Sequence, residues 1–197
     1  MASIKKIKSE DVFQLKITLD HIKPIIWRRF LVDSDIKLTD LHKVIQTIMG
    51  WTNSHLHQFV INKKSYSLPD DDSSIEIIDY RKIKLNSLCN VPKARFMYQY
   101  DFGDGWEHTI VLEKILPSEK GNQYPICIDG KRNCPPEDCG GPYGYTELLT
   151  IINNPKNDQY QDMIDWLGND FDPEEFNIEE INEFLQETDY GCIEILD

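Results

Sequence analysis

Phe96-Met97-Tyr98-Gln99-Tyr100-Asp101-Phe102-Gly103-Asp104-Gly105-Trp106-Glu107-His108-Thr109-Ile110-Val111-Leu112 is the stretch that sets the architecture. Phe96, Tyr98, Tyr100 and Phe102 alternate with less apolar residues, and so do Trp106, His108, Ile110 and Leu112. A period of two is what a strand with one buried face requires. Gly103-Asp104-Gly105 lies between the two runs and supplies the positive φ angles of a tight turn. A three-residue turn there predicts Phe102 opposite Trp106 and Tyr100 opposite His108, with all eight large residues on one face.

Elements of the same kind precede this hairpin. Phe13, Leu15, Ile17 and Leu19 alternate and predict a strand that Pro24 interrupts. Ile25 to Val32 is rich in β-branched and aromatic residues and predicts its partner. Thr39 is placed as the N-cap of a helix carrying Leu41, Val44, Ile45 and Ile48 at helical spacing, with Gly50 as its terminating glycine. His55 to Ile61 reads as a further strand, followed by a loop around Pro69, Asp70, Asp71 and Asp72.

Beyond Pro117 the alternation stops. Residues 118–144 are rich in Gly, Pro, Cys and Asp and are expected to form one long ordered loop. Three helices are predicted after it. The first spans about Tyr143 to Ile152 and is stopped by Asn153-Asn154-Pro155. The second has Asp158 and Gln161 as a capping pair, a stripe of Tyr160, Met163, Ile164 and Leu167, and Gly168 at its end. The third starts near Asp172-Pro173-Glu174 or Asn177 and turns Ile178, Ile181 and Leu185 inward. The sum is an α+β fold, a mainly antiparallel sheet with one N-terminal helix and a C-terminal group of about three helices. Residues 10–187 are expected to form one domain, with 1–9 a flexible N-terminus and 188–197 a C-terminal tail.

The 197 residues carry a net charge of −13, distributed unevenly. The first hundred hold 16 Lys and Arg against 11 Asp and Glu, whereas the remainder hold 5 against 23. Nucleic acid and anionic membranes are therefore not expected on the acidic second half. No apolar run approaches the ~18 residues of a membrane span. No secretory signal follows the N-terminal lysines, so the five cysteines are expected as reduced thiols in a cytoplasm.

Several residues could carry chemistry. On a strand, His55 and His57 would project together and could chelate one metal. Asp101-Phe102-Gly103 spells a kinase metal-binding triplet, but neither a phosphate-cradling glycine loop nor a His-Arg-Asp loop accompanies it. Asp101 and Asp104 are accounted for by hydrogen bonds within the turn, although both could act as ligands beside it. His108 reads as a core histidine paired with Tyr100. Cys134-Pro-Pro-Glu-Asp-Cys-Gly-Gly-Pro-Tyr-Gly-Tyr145 is stiffened by prolines and leads into a helix N-terminus that could bind an anion or depress the Cys139 pKa. Cys127, Cys134 and Cys139 lack paired C-x-x-C spacing, so a zinc site there would need His55, His57 or His108 as well. There is no nucleophile elbow, dinucleotide fingerprint, Walker loop or H-E-x-x-H motif.

Taken in order, Ile26-Trp27-Arg28-Arg29, Leu41-His42 before Gly50-Trp51, His55-Leu56-His57-Gln58-Phe59, Tyr100-Asp101-Phe102-Gly103-Asp104 with Trp106-Glu107-His108, and Cys134-Pro135-Pro136-Glu137-Asp138-Cys139-Gly140-Gly141 resemble the plasmid pRiA ORF-three-like family. The resemblance covers roughly residues 10–187. It implies one α+β domain of bacteria and archaea, encoded in part on plasmids and insertion elements. Some members carry a resolvase label, but no serine or tyrosine recombinase site is recognisable here, and the family supplies no mechanism.

The resemblance also implies that three pieces meet in one pocket, lined by His55, His57, Asp101, Asp104, Trp106, His108, Glu137 and Asp138. A divalent metal such as zinc could be held by His55, His57, His108, Cys134 and Cys139. The expected function is a non-catalytic binding or adaptor domain, associated with mobile elements, for a protein, ion or small ligand, rather than an enzyme. The alternatives are a metal-dependent hydrolase with His and carboxylate ligands and a nucleic-acid-binding accessory factor.

Overall fold

Eight strands and four helices account for most of the computed structural model, which describes residues 11–69, 76–168 and 171–192. The expected flexible segment 1–9 and the aspartates 70–72 lie outside the described residues. The strands are β1 (Asp11–Leu19), β2 (Trp27–Asp33), β3 (His57–Ile61), β4 (Lys64–Ser67), β5 (Ile77–Asp79), β6 (Arg95–Tyr100), β7 (Trp106–Pro117) and β8 (Ile126–Lys131). They form one sheet in the order β5-β4-β3-β6-β7-β1-β2-β8, antiparallel throughout except for the parallel pair β4 and β5. The helices are α1 (Leu38–Met49), α2 (Gly141–Ile152), α3 (Tyr160–Leu167) and α4 (Ile178–Phe184). The fold is α+β, with a near-N-terminal helix after two strands and a C-terminal cluster of three helices.

The alternating residues of β1, β6 and β7 meet Leu41, Val44, Ile45 and Ile48 of α1 in one buried cluster. Gly50 ends α1 at φ 87°, and its N–H returns to Gln46 and Thr47. That left-handed conformation is open to glycine at little cost.

The structure moves several expected boundaries. The central hairpin pairs Tyr100 with Trp106, Tyr98 with His108 and Phe96 with Ile110, two residues away from the register read from the sequence. The cause is Asp101. Its backbone stands at φ 51°, its Oδ1 accepts from the N–H groups of Gly103 and Asp104, and its carbonyl accepts from Gly105. The turn therefore takes five residues, and Phe102 is left exposed outside the ladder. A slip of two keeps Trp106 and His108 on the inner face.

Helix α1 starts before Thr39, at Leu38 with Lys37 as N-cap. No side chain caps it, because Leu38 N–H donates to the Ile83 carbonyl of a neighbouring segment. The expected loop over 118–144 contains β8, which pairs with β2. The expected Asp158–Gln161 cap is absent: Gln159 is the N-cap of α3, and Gln161 bonds Asp165 instead. Asn177 does cap α4, accepting from the Glu180 N–H. Part of the expected tail, Thr188–Gly191, forms a turn with Asp189 and Tyr190 at positive φ, docked on α1, where Thr47 Oγ1 donates to the Tyr190 carbonyl.

Candidate metal centre

The start of β3, the Asp101 turn and the segment before α2 converge on the His55 imidazole. His55 Nε2 lies 3.7 Å from Asp101 Oδ2, 3.8 Å from Glu137 Oε2 and 3.3 Å from Asp138 Oδ1. Among the described residues, donor atoms of His55, Asp101 and Asp138 form one group lying within 4.8 Å of one another, and Glu137 flanks it.

Each inner carboxylate splits its two oxygens between scaffold and cluster. Asp101 gives Oδ1 to two backbone N–H groups of its turn and aims Oδ2 at His55. Glu137 Oε1 accepts from Thr52 N–H at 2.8 Å, Thr52 Oγ1 at 3.0 Å and the Tyr100 hydroxyl at 2.9 Å. Its other oxygen, Oε2, is buried with no hydrogen-bond partner, and so is His55 Nε2. Both Asp101 and Asp138 adopt positive φ angles, 51° and 56°. Such backbone is uncommon outside glycine and tends to gather where side-chain direction matters. Asp138 is the solvent-facing member, its side chain 76% exposed against 10% for Asp101.

The loop that carries His55 is tied down residue by residue. Trp51 N–H donates to the Gln46 carbonyl, Asn53 N–H to Gln46 Oε1 and Ser54 N–H to the Tyr100 hydroxyl. Gln46, Tyr98, His42 and Asn53 close a ring of hydrogen bonds. Burial pushes the His42 pKa down to about 4, which keeps its imidazole neutral. Asn53 Oδ1 accepts from His42 Nε2–H, so Nδ1 accepts the Tyr98 hydroxyl proton, while the Tyr98 oxygen accepts from Gln46 Nε2.

The structure separates the other expected site residues from this cluster. His55 precedes β3 rather than opening it, so the premise that His55 and His57 share a strand face fails. His57 turns inward, stacks on His42 with ring centroids 3.4 Å apart and bonds the Tyr80 hydroxyl. Burial, then proximity to His42, drives its pKa well below the ordinary value. His108 is fully buried and bonds the Tyr98 carbonyl rather than pairing with Tyr100. Trp106 is core as well, packed on Trp51. Asp104 works at one remove, its Oδ2 accepting from Gly140 N–H and so joining the hairpin to the segment before α2.

Cys134 and Cys139 lie outside the donor group, as does Cys127. Burial lifts all three thiols, Cys127 to about 11 and Cys139 to about 12, with the Asp104 carboxylate adding to the effect at Cys139. The expected depression of Cys139 by a helix N-terminus is reversed, and the thiols stay protonated. Thr52 and Tyr100, which hold Glu137, were missed by sequence reasoning, because hydroxyl donors have no spacing signature. A larger cavity of about 480 Å³ opens between α1 and α4, but the Arg28 side chain beside it is taken up by the carbonyls of Ile48, Trp27 and Lys131. No described helix is long and apolar enough to cross a membrane.

Over residues 11–180 the chain matches a family described as plasmid pRiA4b ORF-3-like protein. It is similar to the uncharacterized protein y4hQ of Sinorhizobium fredii (strain NBRC 101917 / NGR234), 39% identical over 178 residues, which span 89% of this chain and 91% of that protein. It is also similar to the crystal structure of MM3350, a protein of unknown function from Methanosarcina mazei Go1. That likeness has a TM-score of 0.80 and 39% identity, and covers 88% of this chain and 98% of the other.

Proposed function

The chain belongs to the plasmid pRiA4b ORF-3-like protein family, and within that fold we propose that His55, Asp101, Glu137 and Asp138 hold one divalent cation, with zinc as the expected occupant. The observation that carries this reading is the pair of buried atoms without a hydrogen bond, His55 Nε2 and Glu137 Oε2, facing each other across 3.8 Å. Leaving two buried polar atoms unmatched is costly, and that separation is too long for a hydrogen bond. A cation between them would satisfy both.

The spacing supports the same reading. Zinc bonds of about 2.1 Å in tetrahedral array put donors about 3.4 Å apart, and the three separations from His55 Nε2 run from 3.3 to 3.8 Å. Imidazole suits zinc and iron and carboxylates suit harder ions such as manganese, so the mixed set fits a first-row divalent ion. Three donors sit inside and Asp138 faces solvent, so the cation would meet an incoming ligand on the Asp138 side.

The protein is on this reading a cation-dependent binding domain. One observation favours hydrolysis as a second reading, namely the exposure of Asp138. A donor so placed can yield its position to water, which a bound zinc would acidify. The test is metal content by mass spectrometry on protein purified without affinity tag or chelator. About one equivalent of zinc, manganese or iron per chain, lost in His55→Ala, is the expected result. Metal-free protein that takes up no cation on dialysis against these ions would overturn the reading.

A further inference from the structure

An open groove of about 320 Å³ runs between α2 and α3, and Asp138 is among its lining residues. Leu148, Ile151, Met163 and Trp166 form its apolar wall. Trp166 is 50% exposed, an unusual position for an indole on so acidic a half of the chain. The same Asp138 places its Oδ1 3.3 Å from His55 Nε2, so one residue is common to the groove lining and the donor cluster. We propose that this groove is the ligand subsite of the cation centre and takes a small neutral carbonyl compound, an amide or ester. Its oxygen meets the cation in the position that Asp138 can yield, and its apolar group lies against Met163 and Trp166. The proposal rests on the cation reading above.

The charge balance selects the head group. Three carboxylates and one divalent cation leave the centre with a charge of −1. The lining adds Glu147 and contains no Lys, Arg or His. An anionic head would be repelled even with the cation in place, whereas a carbonyl brings a donor without a charge. The volume selects the body. It lies at the small end of ligand sites and suits one aromatic or branched side chain.

The probes are N-acetylphenylalaninamide, N-acetylglycinamide and the anionic N-acetylphenylalanine, titrated against the full chain with and without zinc. Binding is read by calorimetry and by tryptophan fluorescence, which the probes do not obscure, and zinc uptake is measured first. The aromatic amide is expected to bind the zinc-loaded protein at least about tenfold more tightly than the glycine amide does. It should also bind more tightly than the anion, and its own binding should be lost without zinc. Met163→Glu, at a half-buried groove position, should remove the preference while zinc still binds. Trp166→Phe should keep the preference and lose the fluorescence response, which assigns the signal. Zinc uptake with the two amides binding alike, or with the anion preferred, would overturn the subsite and leave the cation centre standing. No zinc uptake would overturn both.

Discussion

Glu137 gives one carboxylate oxygen to three scaffold donors and leaves the other buried and unmatched beside His55. Glu137→Gln separates the two roles. The amide oxygen can keep the contacts with Thr52 and Tyr100, while an NH₂ group replaces the oxygen that faces the cation. The melting temperature without added cation should hold, and zinc affinity should fall by at least about tenfold, more than for loss of an outer partner such as Tyr100. Equal affinity in wild type and variant would remove Glu137 from the centre. Asp101 shows how far single residues are legible. Its place before Phe102-Gly103 is enough to predict a turn-capping role, which Oδ1 fulfils. The second role, of Oδ2, depends on a left-handed backbone at a non-glycine residue and on His55, 46 positions earlier in sequence, which no local pattern encodes. His57 misleads for the opposite reason. Alternation put it beside His55, but the strand begins at His57 itself, so the two imidazoles are not members of one strand face.

At the scale of elements, the centre depends on how closely the hairpin turn meets the first turn of α2. Gly141 stands at φ 68°, and a Cβ there would lie 2.2 Å from the Asp104 carbonyl oxygen. Gly141→Ala would force the turn and the helix apart, at a cost of about 2 kcal/mol or more from backbone strain and overpacking together. Urea denaturation should register that loss, and zinc affinity should fall with it, although no donor is altered. A variant as stable as wild type would show that the contact is slack. Strong periodicity made β1, α1 and the two strands of the hairpin readable, though not the hairpin's register, and β-branched and aromatic composition made β2 so. Strand β8 was missed because Ile126-Cys127-Ile128 is too short a run to show a period, and Ile128 faces outward at the sheet edge. The start of α1 was misplaced because another segment's carbonyl, Ile83, takes the place of a capping side chain.

For the whole molecule, three buried imidazoles link stability to pH. Burial holds His42 and His108 down at about 4, and His57 well below the ordinary histidine range. In the unfolded chain each takes a proton near pH 6.5, so between there and about 4 the unfolded state binds more protons than the folded one. Stability is therefore fully present above pH 7 and falls as the pH drops through that window. The loss should reach about 4 kcal/mol for the three together by pH 5.5, measured by urea denaturation in the presence of chelator. A curve flat between pH 7.5 and 5.5 would contradict the neutral, buried assignment of these rings. The α+β class was legible at this scale because runs of strands precede a run of helices, as was the concentration of acid in the second half. The convergence of His55, Asp101, Glu137 and Asp138 was approachable only through the order of family motifs, since three separate chain segments supply the donors. The most direct measurement is a calorimetric titration of zinc into wild type and Asp101→Asn. Asparagine tolerates the left-handed backbone and can still cap the turn, so only the donor facing His55 is lost. One zinc per chain is expected for wild type, with weakening of at least about tenfold in the variant. Equal binding by the two proteins, or none by wild type, would contradict the cation centre.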